Sequence, residues 1–146
     1  VGVRVGDVEH LPLRIQRQCY NALQVAEWLQ KNPKVEWVSY AGLKNHAAYE
    51  MHKKYCPKGA GSVFTFGLKG GYDAGVGLVN NVKLFSHLAN IGDTKSLIIH
   101  PASTTHRQLS ADELVKAGAG PEVVRLSIGI EDTKDIIADL EQAMAA

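Results

Sequence analysis

The chain has 146 residues, 45% of them hydrophobic, and 16 Lys and Arg stand against 15 Asp and Glu for a formal net charge of +1. That length suits a single domain, residues 1–146, able to bury roughly two-thirds of its unfolded surface. Balanced charge, with no basic block and no run of interleaved aromatics, argues against a nucleic-acid partner. No apolar stretch approaches the roughly 18 residues that cross a bilayer, so no membrane partner is expected. The first ten residues, VGVRVGDVEH, lack the apolar core of a signal peptide, and a cytoplasmic location is expected. Cys19 and Cys56 show no CxxC spacing and read as ordinary thiols.

In chain order, the first predicted element is a long helix from Pro12 to about Lys31. Its inward stripe is Ile15, Cys19, Ala22, Val25/Ala26 and Leu29. Proline suits its first turn, and Asn32-Pro33 ends it. Val35–Tyr40 is β-branched and aromatic, hence a strand. A short helix over about 47–55 leads into the turn-forming Pro57-Lys58-Gly59-Ala60-Gly61. Ser62–Leu68 is the clearest strand, with Phe64, Phe66 and Leu68 alternating against Val63, Thr65 and Gly67.

Gly70-Gly71 precedes a second long helix over about 72–89, with Ala74, Leu78, Val82, Phe85 and Ala89 facing inward. Asn90-Ile91-Gly92-Asp93 then looks like a helix C-terminus with a glycine for a left-handed turn. Ser96–His100 is a third strand. Ser110-Ala111-Asp112-Glu113 is a capping box opening a short helix that stops at Gly118. Val123–Ile128 is the fourth strand, and a final helix follows Asp132 as N-cap, with Ile136, Ile137, Leu140 and Met144 inward. Alternation of strands and helices, taken alone, suggests a parallel α/β sheet.

Several features invite a functional reading that their spacing does not support. His100 and His106, like His46 and His52, lack a third ligand at a recognisable spacing, so no metal site is expected. The glycines fall in neither phosphate-loop pattern and read as turns, except Gly75 and Gly77, which allow close packing of a helix. Trp28 and Trp37 read as core.

Arg125 is different. It sits within Val123-Val124-Arg125-Leu126-Ser127-Ile128-Gly129-Ile130, a run with the character of a buried strand. Its guanidinium keeps its charge and requires an anionic partner. That partner is either one of the chain's own carboxylates or a bound carboxylate gripped by the planar fork.

The segment Asn90-Ile91-Gly92-Asp93-Thr94-Lys95-Ser96-Leu97-Ile98-Ile99-His100-Pro101, together with VVRLSIGIED, resembles the C-terminal domain of the O-acetylhomoserine sulfhydrylases. These belong to the pyridoxal-phosphate (PLP) Cys/Met-metabolism enzymes. Leu11-Pro12-Leu13-Arg14, Asn21-Ala22-Leu23, Pro33-Lys34-Val35, Lys58-Gly59-Ala60-Gly61 and Phe64-Thr65-Phe66-Gly67 agree as well. The resemblance runs from about Asp7 to the end of the chain. It implies an α+β fold: a mostly antiparallel four-stranded sheet with helices on one face. Residues 11–32 would form a long connecting helix and 33–146 an α/β sandwich.

The resemblance also implies roles. Arg125, the arginine of the RLS-x-G motif, would bind the α-carboxylate of an amino-acid substrate, O-acetylhomoserine in the parent enzyme, and Asn90 would assist. Thr104 and Thr105 would border the pocket. The family's Schiff-base lysine lies in Ser-x-Thr-Lys followed by Gly-His. Here Asp93-Thr94-Lys95-Ser96 lacks the leading serine and the Gly-His, so Lys95 reads as a solvated lysine entering a strand. PLP is therefore expected to be held by a preceding domain, and the chain alone is expected to be inactive and to bind no cofactor. A second copy or a large-domain partner is expected to cover the surface left exposed. The rival reading is a non-catalytic domain acting in self-association or partner binding.

Overall fold

The structure, a computed structural model, describes residues 9–146. Residues 1–8, on which the reading of the chain's start rests, lie outside the described residues. The elements are α1 (Leu11–Lys31), β1 (Val35–Ser39), α2 (Tyr49–Tyr55), β2 (Val63–Leu68), α3 (Gly71–Asn81), β3 (Ser86–His87), β4 (Leu97–Ile99), a 3-10 turn (Pro101–Ser103), α4 (Ala111–Lys116), β5 (Val123–Ser127) and α5 (Thr133–Ala145). Local signals act as expected at three helix ends. Pro12 lies in the first turn of α1. Ser110 and Glu113 cap α4 reciprocally, and those Ser110 hydrogen bonds hold the exposed Glu113 carboxyl below its usual range. The Asp132 carboxylate accepts from the Lys134 amide at the start of α5.

The strand order is β1-β2-β5-β4-β3, antiparallel throughout except for the parallel pair β3–β4. The expected four-stranded, mostly antiparallel sheet is thus corrected to a five-stranded mixed one. The cause is the early end of α3. Its apolar spacing continues past Val82, but the buried carboxylate of Asp139 on α5 accepts the amides of Lys83, Leu84 and Phe85 at 2.8–3.2 Å. Those amides are removed from any continuing helix, because a charged acceptor holds them more strongly than a helical carbonyl would. The chain turns, and Ser86 and His87 come alongside Leu97 and Ile98 as an edge strand. Ala89, expected inward, is exposed.

Alternation along the central strands produces two unlike faces. Phe64, Phe66, Ile98, Val124 and Leu126 form one, packed beneath Ala22, Val25, Ala26 and Leu29 of α1, Leu78 and Val79 of α3, and Ile136, Leu140 and Ala143 of α5. These three helices therefore share one side of the sheet. The opposite side carries Thr65, Ile99 and Arg125 in cross-strand register. Trp37 also lies there, and any side chain at Gly67 would collide with its indole. The expectation that both tryptophans are core is corrected: Trp28 packs against the core, whereas Trp37 covers Gly67 on the far face.

The buried stripe of α1 also differs from expectation. It runs through Gln18, Asn21, Ala22, Val25, Ala26 and Leu29, leaving Ile15 and Cys19 only partly covered. Gly75 does allow close packing, since a methyl group there would lie 2.5 Å from the His100 ring, but Gly77 faces open space.

Candidate functional site

Arg125 occupies the middle of β5, flanked by the fully buried Val124 and Leu126 whose side chains enter the helix-covered core. Their burial fixes the register, and the period of two then forces Arg125 onto the face opposite α1, α3 and α5. Its Nη2 donates to the main-chain carbonyl of Asn90 at 3.5 Å. Among the described residues no carboxylate lies within ion-pair distance of it. Among the described residues the internal salt bridge, one of the two partners open to this arginine from sequence, is not formed.

The structure therefore brings together the two residues singled out for substrate binding. Asn90 is exposed, and its Oδ1 accepts from the Ile91 amide at 2.8 Å, leaving its Nδ2 directed elsewhere. The loop is not a helix C-terminus, because α3 ended well before it and β3 intervenes. Gly92 does adopt the left-handed conformation, at φ +78°. Lys95 is exposed, and its main-chain amide donates to the Asp93 carboxylate at 3.1 Å.

What holds this loop in place was not singled out from sequence. Gln18 Nε2 donates to the Asp93 carbonyl at 2.5 Å, and Arg14 Nη1 to that of Gly92 at 3.3 Å. One turn further along α1, Asn21 Nδ2 donates to the carbonyls of Gly129 and Glu131 at 3.1 and 2.8 Å. The Glu131 carboxylate accepts from the Ser96 amide at 2.6 Å and from its hydroxyl at 2.9 Å, while Ser96 Oγ accepts from the Gly129 amide at 2.9 Å. The loops before β4 and after β5 are thus stitched to each other and to α1. A signal for this existed: Gln18 and Asn21 stand on the buried side of an otherwise apolar stripe. A buried amide is costly unless its hydrogen bonds are met, so such a pair marks a helix that supports a loop.

Two buried polar atoms lack a protein hydrogen-bond partner among the described residues, Gln18 Oε1 and Ser127 Oγ. Ser127 is two positions from Arg125 on the same face of β5. The loop after β4 is occupied with its own structure. Buried His100 pairs through Nδ1 with Ser103 Oγ at 2.9 Å and through Nε2 with the Pro121 carbonyl at 2.8 Å. The Thr104 hydroxyl donates to the His100 carbonyl at 2.8 Å, and Thr105 pairs with His106. No cluster of three or more metal-ligating side chains occurs among the described residues.

Two of the larger cavities, of about 510 and 480 Å³, include neither Arg125 nor Asn90. The guanidinium without a carboxylate partner among the described residues marks the site better than cavity size does, since an anion needs a charged donor more than it needs volume. No helix among the described residues is long and apolar enough to cross a membrane.

Comparison with known proteins places the whole chain in a family. Residues 5–145 match the family model described as Cys/Met metabolism PLP-dependent enzyme. The chain is 50% identical over 138 residues to O-acetyl-L-homoserine sulfhydrylase 1 of Thermus thermophilus, covering 94% of this chain and 33% of that protein. It is 52% identical over 138 residues to the O-acetyl-L-homoserine sulfhydrylase of Leptospira meyeri, covering 94% and 31%. The crystal structure of a protein described as an O-acetylhomoserine (thiol)-lyase from Campylobacter jejuni, which contains a pyridoxyl-lysine phosphate group, superposes with a TM-score of 0.88. Its identity is 43%, and the match covers 95% of this chain and 33% of that one. The chain spans about a third of the length of the relatives it matches. On the extent of these matches, the chain belongs to the Cys/Met-metabolism family of PLP-dependent enzymes.

Proposed function

We propose that this chain is the substrate-carboxylate-binding domain of an O-acetylhomoserine sulfhydrylase-type enzyme, which replaces the acetate of O-acetylhomoserine with sulfide or a thiol. The observation that carries the reading is Arg125: a guanidinium on the sheet face opposite α1, α3 and α5, steered by the Asn90 carbonyl and without a carboxylate partner among the described residues. Two parallel N–H donors suit the α-carboxylate of an amino acid, and the rigid β5 register holds the fork in place. Gripping that end orients the rest of the substrate and reduces the entropy lost at the reacting carbons. Asn90 Nδ2 is the second donor.

PLP, when bound, supplies the electron withdrawal that activates the amino acid's carbons. The donor set here fits the substrate end of such a site and not the cofactor itself. Lys95, in the segment nearest to the family's lysine motif, is solvent-exposed, and its amide is bound to Asp93. We assign the cofactor and its proton-transferring lysine to a separate domain. Exposed Leu88 and Ile91, at 52% and 71% exposure on either side of Asn90, support a partner surface beside the site.

The test is Arg125→Ala in a full-length enzyme carrying this chain. KM for the amino-acid substrate should rise by about 10- to 100-fold, as expected for losing a charge-assisted pair. The cofactor's visible absorbance should stay unchanged. Loss of bound cofactor with substrate affinity intact would overturn the assignment. The chain alone, mixed with PLP, should develop no visible absorbance that disappears in Lys95→Ala.

A further inference from the structure

We propose that Cys19 and Cys56 form a reversible intramolecular disulfide, a modification site that clips α1 to the turn between α2 and β2. Far apart in sequence, the two residues line one cavity of about 480 Å³, together with Pro12, Tyr55, Pro57 and Lys58. Gly59 makes their proximity concrete. A methyl group placed on it would lie 2.7 Å from Cys19 Sγ and 3.1 Å from Cys19 Cβ. The Gly59 amide in turn donates to the Cys56 carbonyl at 3.1 Å. The sulfur of Cys19 thus presses on the very turn that Cys56 opens.

That turn also contains two glycines. Gly59 and Gly61 hold φ of +148° and +81°, conformations that glycine leaves at little cost. Bridging requires Cα atoms about 4.4–6.8 Å apart, and the turn after Cys56, with glycine at 59 and 61, has the backbone freedom to reach that span. Among the described residues neither thiol is tied up in a hydrogen bond, and neither is part of a metal-ligating cluster.

Exposure sets the order of events. Cys56 is exposed and Cys19 half-buried, so Cys56 meets a peroxide-class oxidant first. Its thiolate attacks one peroxide oxygen; an S–O bond forms, the O–O bond breaks and water leaves after taking up a proton, giving a sulfenic acid. The Cys19 thiolate then attacks the Cys56 sulfur. The S–S bond forms, the S–O bond breaks, and hydroxide leaves as water. Two thiols lose two electrons and two protons in total, and the peroxide becomes two waters. An external dithiol reverses the step by exchange.

The test uses the reduced chain, treated with stoichiometric hydrogen peroxide, alkylated, and mapped by mass spectrometry without reduction. The expected result is a monomer lighter by about 2 Da for the two hydrogens lost. Neither cysteine should be alkylated, a cross-linked peptide should contain both, and a dithiol should restore both thiols. Cys56→Ser should leave Cys19 fully alkylatable. Full alkylation of both wild-type cysteines after oxidation would overturn the proposal. So would a bond found only between chains, or a Cys56 that stops at an oxyacid beside an unmodified Cys19.

Discussion

The guanidinium of Arg125 donates from Nη2 to the main-chain carbonyl of Asn90 at 3.5 Å, so the two residues proposed to hold a carboxylate already touch across 35 positions of sequence. The bond is long, at the limit of a hydrogen bond, and it engages the backbone rather than the asparagine amide. It aims the fork without neutralising it. Asn90→Ala keeps that carbonyl but removes Nδ2 and the Oδ1 bond to Ile91. In a full-length enzyme it should raise KM by about 3- to 10-fold, the loss of a single neutral hydrogen bond. Steady-state kinetics beside Arg125→Ala would check the ranking. An Asn90→Ala defect as large as that of Arg125→Ala would mean the loop, not the guanidinium, is the main anchor.

Ser96 and Ser127 form a matched contrast. Both hydroxyls are buried, but Ser96 Oγ bonds to Glu131 and Gly129 while Ser127 Oγ has no protein partner among the described residues. Ser96→Ala should cost about 1–3 kcal/mol, because it strips a carboxylate and an amide of a partner. Ser127→Ala should be neutral or stabilising by up to about 1 kcal/mol, since an unpaired buried hydroxyl opposes folding. Denaturant unfolding of the two variants gives the comparison directly.

Gly75 and Gly77 lie on the same helix in opposite surroundings. A β-carbon at Gly75 would come within 2.5 Å of the His100 ring, which is itself pinned between Ser103 and Pro121 and cannot retreat. Gly75→Ala should therefore destabilise by about 1–3 kcal/mol through overpacking. At Gly77 nothing lies within 4 Å, and Gly77→Ala should stabilise by up to about 1 kcal/mol through helix propensity. Thermal melting temperatures should move in opposite directions.

Tyr40 gives the fold an alkaline limit. Its ring is buried against Phe64, its hydroxyl donates to the Gly61 carbonyl at 2.8 Å, and burial, followed by the nearby Cys19, pushes its pKa well above the ordinary value. The folded state thus holds this proton more tightly than the unfolded chain does. The stabilisation is complete below the ordinary tyrosine value of about 10 and declines as pH rises above it. Tyr40→Phe should flatten that decline while costing about 1 kcal/mol at neutral pH for the lost hydrogen bond. Unfolding free energies between pH 7 and pH 11, taken as roughly spanning the tyrosine titration, would show it.

Much of this molecule was legible in the chain itself, wherever a decision depends on neighbours in sequence. Periodicity placed α1, β2, β5 and α5 within a residue or two. Ser110 and Glu113 cap each other as their spacing required, and Arg125 stood out because its charge interrupts an apolar strand. Each follows from backbone geometry and local hydrogen bonding, which act over a few residues.

Tertiary structure decided the rest. The apolar spacing of α3 continues beyond Asn81, yet Asp139, from the far end of the chain, captures the next amides and creates the edge strand that makes the sheet mixed. Gln18 and Asn21 became supports of the site only through carbonyls in loops more than seventy positions away. Arg125 could be read from sequence as needing an anion. Only the packed sheet shows that Arg125 lies on the face opposite α1, α3 and α5 and that no carboxylate among the described residues reaches it. A charged group's own chemistry states its demand, but which groups the fold leaves within about 4 Å determines who meets it.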